Sequence, residues 1–319
     1  MRIVFMGTPE FAVPSLGALL KSDDQVVGIV TQPDRPKGRG QVLTPPPVKL
    51  IAQREGIPFL QPAKIRVPEF LTALADWKPD LIAVTAYGRI LHGPILALPP
   101  MGCVNVHGSL LPKYRGAAPV QWAVINGETE TGITTMMMDE GMDTGAMLLQ
   151  EPLPIFPEDT SGTLAPRLAE LGGRLLVETI ARLKAGTITP QPQNHALATL
   201  APPLKKEDGV IDWMTSAISI ANRVRGLSPW PGAYTYFGGE RWMVWSATAS
   251  PARAGAVPGT IIDVTKQTIH VATREGVLAL REIQPANSKR LTVMQYLAGH
   301  RVSAGQRFDA VPPPSAREV

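Results

Sequence analysis

Residues 2–31 read RIVFMGTPEFAVPSLGALLKSDDQVVGIVT, and their rhythm decides the fold. Arg2–Met6 has the pattern of a short buried strand. Gly7-Thr8 then turns the chain. Thr8 is placed to cap a helix, and Pro9 suits its first position, where a missing N–H costs nothing. Phe11, Leu16, Leu19 and Leu20 follow at helical spacing, and Gln25–Thr31 reads as a second strand. A strand, a helix and a strand in so short a span predict a parallel sheet with helices on its faces.

The next stretch, Pro33–Pro47, reads PDRPKGRGQVLTPPP and excludes regular structure, with prolines at 33, 36, 45, 46 and 47. A structureless loop this long inside a compact domain is uncommon and usually functional. Helical spacing returns at Val48–Glu55 and Glu69–Trp77. Strands are expected at Asp80–Ala86, Met101–His107 and Thr131–Met138, and a helix at Ala118–Asn126. A long helix over Thr160–Leu183 has a soft point at Gly172-Gly173. Gly186–Pro203 then mixes Pro190, Pro192, Pro202 and Pro203 with Thr, Gln and Asn, which is linker composition. Beyond it a helix at Ser216–Arg225 precedes short strands at Arg241–Ala247, Thr260–Val264, Thr268–Thr273 and Val277–Ile283. The expected architecture is α/β: a Rossmann-like, mostly parallel sheet domain over 1–186, a linker over 187–204, and a small C-terminal β-barrel (OB-like) domain over 205–312.

Composition supports this division. The chain has 319 residues, 44% apolar and 18% charged, enough to bury two cores and too apolar for a disordered tail protein. The single cysteine, Cys103, excludes an internal disulfide framework and a Cys-clustered metal site. Ile3–Met6 is ended by Gly7-Thr8-Pro9-Glu10, short of the ~7–15 apolar residues of an export signal. No run approaches the ~18 needed to span a bilayer, so a soluble cytoplasmic protein is expected. Residues 1–200 hold 17 Lys and Arg against 18 Asp and Glu; residues 201–319 hold 14 against 9. The basic excess of the C-terminal part, with the local spot Arg35, Lys37 and Arg39, hints at an anionic partner.

Gly7 invites a dinucleotide-binding reading, but G-x-G-x-x-G is absent. Asn105 and His107 carry the strongest local signal. They sit two apart on a predicted strand, so both leave the same face at the strand's C-terminal end, where parallel sheets keep their sites. An amide donor beside an imidazole can serve a developing oxyanion. A histidine merely bonded to backbone is the plainer alternative. Cys103 shares their face, either as nucleophile or as a small buried hydrophobe. Met138–Gly145 reads MDEGMDTG; it is either a solvated acidic turn or a loop aiming a carboxylate at His107 for proton relay. Five histidines and no H-E-x-x-H argue against a metal reading.

The string NVHGSLLPKYRGAAP at 105–119 resembles the signature of the folate-dependent formyltransferases, and Asp143 falls where that family keeps its catalytic aspartate. MGTPEFA at 6–12, TQPDRP at 31–36, GRG at 38–40 and MDTG at 142–145 resemble the branch that formylates methionyl-tRNA. The C-terminal half matches more loosely, around Ile211-Asp212-Trp213 and Pro229-Trp230-Pro231. The resemblance implies a formyltransferase domain that moves a formyl group from 10-formyltetrahydrofolate, as co-substrate, to the α-amine of initiator methionyl-tRNA. It implies Asn105, His107 and Asp143 as catalytic residues, acting on a tetrahedral intermediate without a metal. Ser109, Leu110, Leu111 and Pro112 would hold the folate, and Tyr87, Arg89 and Leu91 in AYGRIL (86–91) would wall its pteridine. Arg35, Lys37 and Arg39, with the basic C-terminal domain, would meet tRNA phosphates, and Arg223 and Arg225 are either further phosphate contacts or solvated helix residues. A monomer is expected. Two rivals are a formyltransferase for a small amine such as a sugar nucleotide, and a non-catalytic RNA-binding protein. The second predicts damage at Asn105, His107 or Asp143, and none is seen.

Overall fold

In the computed structural model, which describes residues 1–38, 40–252 and 255–309, the chain divides into two units. The first comprises Met1–Pro119, Glu130–Pro154 and Leu164–Pro202. The second comprises Val120–Thr129, Ile155–Thr163 and the chain from Pro203 onward. The stretch read as a linker, 187–204, thus groups with the first unit as far as Pro202. Residues 310–312 of the expected C-terminal domain lie outside the described residues.

The chain runs β1 (Arg2–Gly7), α1 (Val13–Leu20), β2 (Gln25–Val30), β3 (Arg35–Lys37), β4 (Val42–Thr44), α2 (Pro47–Arg54), β5 (Phe59–Leu60), α3 (Pro68–Asp76), β6 (Leu81–Thr85), α4 (Gly93–Leu96), β7 (Cys103–His107), α5 (Pro119–Ile125), β8 (Glu130–Met137), β9 (Met147–Pro154) and α6 (Ser161–Lys184). The sheet of the first unit has the order β5-β2-β1-β6-β7-β8-β9. It is parallel from β5 to β7, and β8 and β9 add antiparallel. Strands β6 and β7 are buried at every position, the signature of a sheet covered on both faces. The mostly parallel α/β sheet expected from residues 2–31 is present.

Four local expectations are corrected. Thr8 caps no helix: Pro9 precedes a short 3-10 turn without a side-chain cap, and the Thr8 hydroxyl bridges strand ends, donating to the Tyr87 carbonyl (3.3 Å) and accepting from the Gln32 N–H (3.3 Å). The stretch 33–47 is not structureless, because β3 and β4 pair as a small hairpin with Arg35 opposite Thr44. Strand β9 was not foreseen. Its apolar run is only Met147–Leu149, and beyond that covered and exposed residues alternate to Pro154. Gly172-Gly173 is no soft point in α6. A Cβ on Gly172 would lie 2.8 Å from Val106 Cγ1, and one on Gly173 2.7 Å from the Pro14 carbonyl oxygen. These glycines let the helix seat directly on β7 and on the start of α1.

The second unit contains α7 (Ala217–Gly226), β10 (Ala233–Phe237), β11 (Glu240–Ser250), β12 (Ile261–Val264), β13 (Ile269–Ala272), β14 (Val277–Pro285), β15 (Leu291–Thr292), α8 (Val293–Leu297) and β16 (Phe308–Asp309). Ser216 starts α7 as expected of a Ser cap, its Oγ accepting from the Ser219 N–H at 3.2 Å. The strand order is β12-β13-β14-β11-β10-β16, all antiparallel, with β15 against β14. The sheet then curls onto itself: the Ile261 N–H donates to the Gln306 carbonyl (2.8 Å) and the Phe308 N–H to the Gly259 carbonyl (2.9 Å). Trp242 fills the interior, with the Phe237, Tyr296 and Phe308 rings at 5.0, 4.8 and 5.7 Å. The early segments of this unit meet α7 and the turn after it. A Cβ on Gly226 would lie 2.5 Å from Ile125 Cγ1, Ser161 Oγ donates to the Ser228 carbonyl (2.6 Å), and Arg225 Nη1 donates to the Asp159 carbonyl (2.8 Å).

Candidate active site

Strand β7 presents Asn105 and His107 from one face at its C-terminal end, as their two-residue spacing requires. Both are nearly buried. His107 Nε2 lies 2.9 Å from the Tyr114 carbonyl. A carbonyl only accepts, so Nε2 carries the hydrogen and Nδ1 is left facing the site. At 3.6 Å from Nδ1 stands Asp143 Oδ2. The other carboxylate oxygen, Oδ1, is 3.5 Å from Asn105 Nδ2. The three residues singled out as catalytic are therefore gathered within a few ångströms.

Asp143 reaches this place because the loop between β8 and β9 is tightly folded. Its φ is +53°, a left-handed conformation that Asp tolerates better than most residues. The Gly116 N–H donates to Asp143 Oδ2 at 2.8 Å, the shortest contact of the carboxylate among the described residues. Asp139 Oδ1 accepts from the Gly141 N–H (3.0 Å) and the Thr144 hydroxyl (2.7 Å), and Glu140 Oε1 accepts from the Gly93 N–H (3.1 Å). The loop is thus neither a plain solvated turn nor a carboxylate cluster. Each acidic residue has its own donor. Among the described residues, no group of three or more His, Cys, Asp or Glu side chains is placed to hold a metal.

Two residues that sequence reasoning passed over complete the loop's support. Gln193, in the stretch read as linker, donates from Nε2 to the carbonyls of Asp143 (2.9 Å) and Gly145 (2.8 Å). Arg115 donates from Nε (3.0 Å) and Nη2 (2.6 Å) to Gln193 Oε1. No local pattern marks Gln193; its partners lie 50 and 78 residues away.

The remaining sequence-named residues are more scattered. Ser109 is buried and donates to the Lys113 carbonyl (2.7 Å), and the Leu111 N–H donates to Thr134 Oγ1 (3.0 Å), which fixes the turn after His107. The Leu111-Pro112 bond is cis. Leu110 packs against the Gly132 backbone, where a Cβ would meet its side chain at 2.5 Å. Tyr87 and Leu91 lie in the apolar cluster with Ile95 and Cys103, while Arg89 donates to Gln32 Oε1 (3.3 Å) and the Ala63 carbonyl (2.9 Å). Burial pushes the Cys103 thiol up to about 12, which leaves no thiolate for nucleophilic work at neutral pH. At the C-terminal ends of β1, β2 and β6 opens a cleft of roughly 460 Å³. Thr8, Gln32, Arg35, Thr44 and Tyr87 line it with the prolines at 33, 36 and 45–47. Arg35 and Lys37 stand in β3, and Arg39 lies outside the described residues. Arg223 is not a free surface cation: its Nε and Nη2 donate to the Asp208 carbonyl (3.0 and 2.5 Å), and Arg225 is tied to Asp159 as above.

Residues 1–180 match the family model described as formyl transferase, and residues 203–301 match that of the formyl transferase C-terminal domain. The chain belongs to the formyl transferase family. It is 54% identical over 304 residues to a protein of Desulfotalea psychrophila named methionyl-tRNA formyltransferase, covering 95% of this chain and 94% of the relative. A protein of the same name from Geobacter sulfurreducens is 48% identical over 308 residues, covering 97% and 96%. Among solved structures, a sugar 3N-formyl transferase determined with dTDP and 5-N-formyl-THF aligns with a TM-score of 0.65 at 16% identity, over 91% of this chain and 99% of that one. An N-formyltransferase from Helicobacter canadensis, in complex with folinic acid and dTDP-3-aminofucose, aligns with a TM-score of 0.64 at 17% identity, over 87% and 98%. These last two establish the shared fold. No helix among the described residues is long and apolar enough to cross a membrane.

Proposed function

We propose that this formyltransferase transfers the formyl group of 10-formyltetrahydrofolate to the α-amine of methionyl-tRNA in the cytoplasm. The observation that carries the reading is near-full-length identity of about half to relatives named for that activity, on a chain that keeps Asn105, His107 and Asp143 within reach of one another. The folate, when bound, supplies the activated formyl carbon, so the protein's own work is binding, orientation and proton handling.

The donor set fits that co-substrate. Asn105 Nδ2 has only the long 3.5 Å contact to Asp143 among the described residues, which leaves an N–H for a formyl oxygen. As negative charge develops on that oxygen, Asn105 donates to it and a protonated His107 adds charge. Such preorganised donors are worth ~10²–10³ in rate each. The Tyr114 carbonyl holds the ring through Nε2, so Nδ1 is the nitrogen that gains or loses a proton. Asp143, held by the Gly116 N–H, orders the imidazole and receives, through water, the proton shed by the attacking amine. Ser109–Pro112 form a rigid turn beside His107 suited to holding the folate, with the loop of Tyr87, Arg89 and Leu91 walling its pteridine. Arg35 lines the cleft, and with Lys37 and Arg39 it supplies the cations for tRNA phosphates; the basic second unit adds to that grip.

The direct experiment mixes the protein with methionyl-tRNA and 10-formyltetrahydrofolate and measures formylmethionyl-tRNA. Formylation of a sugar-nucleotide amine in preference to methionyl-tRNA would refute the reading.

A further inference from the structure

We infer that Gln193 is the positioning residue for Asp143: it holds the loop backbone in the left-handed turn that keeps the Asp143 carboxylate between Asn105 and His107. The inference rests on the functional reading above for the role of Asp143, and on the following geometry for the rest.

The contacts from Asp143 to its two catalytic neighbours are long, 3.5 Å to Asn105 and 3.6 Å to His107, so neither neighbour fixes the carboxylate. What fixes it lies behind. Gln193 is buried, and all four hydrogen-bonding valences of its amide are committed. Both Nε2 hydrogens go to the loop, to the carbonyls of Asp143 (2.9 Å) and Gly145 (2.8 Å). Both Oε1 lone pairs go to one buried guanidinium, Nε of Arg115 at 3.0 Å and Nη2 at 2.6 Å. Carbonyls only accept and a guanidinium only donates, so the orientation of this amide is unambiguous. Gln193 thus fixes the peptide planes that carry the Asp143 and Gly145 carbonyls, and the Asp143 side chain leaves that held backbone at a φ of +53°.

Arg115 closes the circuit. The next residue, Gly116, donates its N–H to Asp143 Oδ2 at 2.8 Å. One segment, 115–116, therefore holds the carboxylate directly and the loop's backbone through Gln193. The stretch after α6 is itself locked in place. Gln191 and Met147 exchange backbone bonds at 2.8 Å each, and the Arg115 N–H donates to the Thr199 carbonyl at 2.8 Å. Residues 187–202, which fall between the two matched family regions, thus form part of the catalytic unit's rear wall.

Gln193→Glu tests this. The carboxylate keeps the size of the amide and still accepts from Arg115, but it donates nothing and sets oxygen against two carbonyls. Displacing a catalytic group by ~1 Å costs up to ~10²-fold. The expected result is a folded protein with kcat for methionyl-tRNA formylation down about 10- to 100-fold and KM for both substrates within about threefold. In an Asp143→Asn background, Gln193→Glu should cost less than about threefold more, because its effect runs through Asp143. In a crystal structure of Gln193→Glu, the Gly116 N–H should no longer donate to Asp143 Oδ2. Wild-type kcat in Gln193→Glu, a full multiplicative loss in the Asp143→Asn background, or an unchanged Gly116 hydrogen bond would each overturn the inference. Arg115→Lys, which keeps charge but loses the two-bond grip, gives the same readings if Gln193→Glu does not fold. A wild-type protein inactive on methionyl-tRNA would instead refute the functional reading, and the crystal structure would still decide the positioning role.

Discussion

Gly145→Ala should lower formylation turnover by about 100-fold while leaving a folded protein. A Cβ on Gly145 would lie 1.9 Å from the Met137 carbonyl oxygen and 3.0 Å from its carbonyl carbon, where ordinary contact begins at 3.4 Å. The loop or the strand must therefore give by about 1.5 Å. Met137 cannot give easily, because it is paired with Val104 on β7 and donates its N–H to the Ala146 carbonyl at 2.9 Å. The movement falls on the loop, two residues from Asp143. A shift of that size exceeds the ~1 Å that costs a catalytic group up to ~10² in rate. The accompanying strain should remove about 1–3 kcal/mol of stability. Steady-state formylation gives the first quantity and denaturant unfolding the second. Gly17→Ala is the control: a Cβ there meets nothing within 4 Å, and the position lies inside α1, so stability should rise by up to ~1 kcal/mol with turnover unchanged. Normal turnover in Gly145→Ala would show that the loop's place on β8 does not govern the reaction.

His107→Ala and Asn105→Ala should each lower turnover at least ~10²-fold with folding intact, and a near-normal rate would remove that residue from the mechanism. Asp143→Asn should do the same; Asn also tolerates the left-handed φ of +53°, so the loss reports the carboxylate rather than the backbone. The Cys103 thiol, pushed up to about 12 by burial, stays protonated below that pH. It should resist a thiol reagent at mildly alkaline pH until the protein is unfolded, and Cys103→Ala should keep its activity; rapid labelling of the native protein would contradict the burial. Apparent affinity for methionyl-tRNA should fall steeply with salt while folate affinity changes little, and equal slopes for the two would count against a phosphate grip.

The opening strand, helix and strand were legible because burial on both faces leaves continuous apolar runs at β1, β2 and β6. Asn105 and His107 were legible for a different reason: a strand's period of two puts them on one face wherever the strand lies. What escaped were features set by distant partners. Thr8 satisfies the usual preference for a cap, yet Tyr87 and Gln32, far along the chain, claim its hydroxyl. Gly172 and Gly173 look like weak points by propensity, but their missing side chains are what β7 and α1 pack against. Gln193 sits among prolines and polar residues, and nothing nearby distinguishes it from loop filler. Its role comes from Arg115 and Asp143, which meet only once the sheet is assembled.

The second unit borrows Val120–Thr129 and Ile155–Thr163 from the middle of the chain, and this has a consequence during synthesis. The first unit has all its residues by Pro202, before the first residue of α7, Ala217, has been added. The ribosome adds ~5–20 residues per second, so the borrowed segments wait roughly several seconds for the helix that will cover Ile125 and take the Ser161 hydroxyl. During that interval they are tethered at both ends by a unit free to fold and joined to each other where the Ile155 N–H donates to the Thr129 carbonyl at 2.9 Å, but they lack α7. The nascent chain thus carries two flaps without their covering helix, and release of a chain stopped near Pro203 would leave them uncovered. Truncated products of this gene should therefore aggregate or be degraded even where their catalytic sheet is complete.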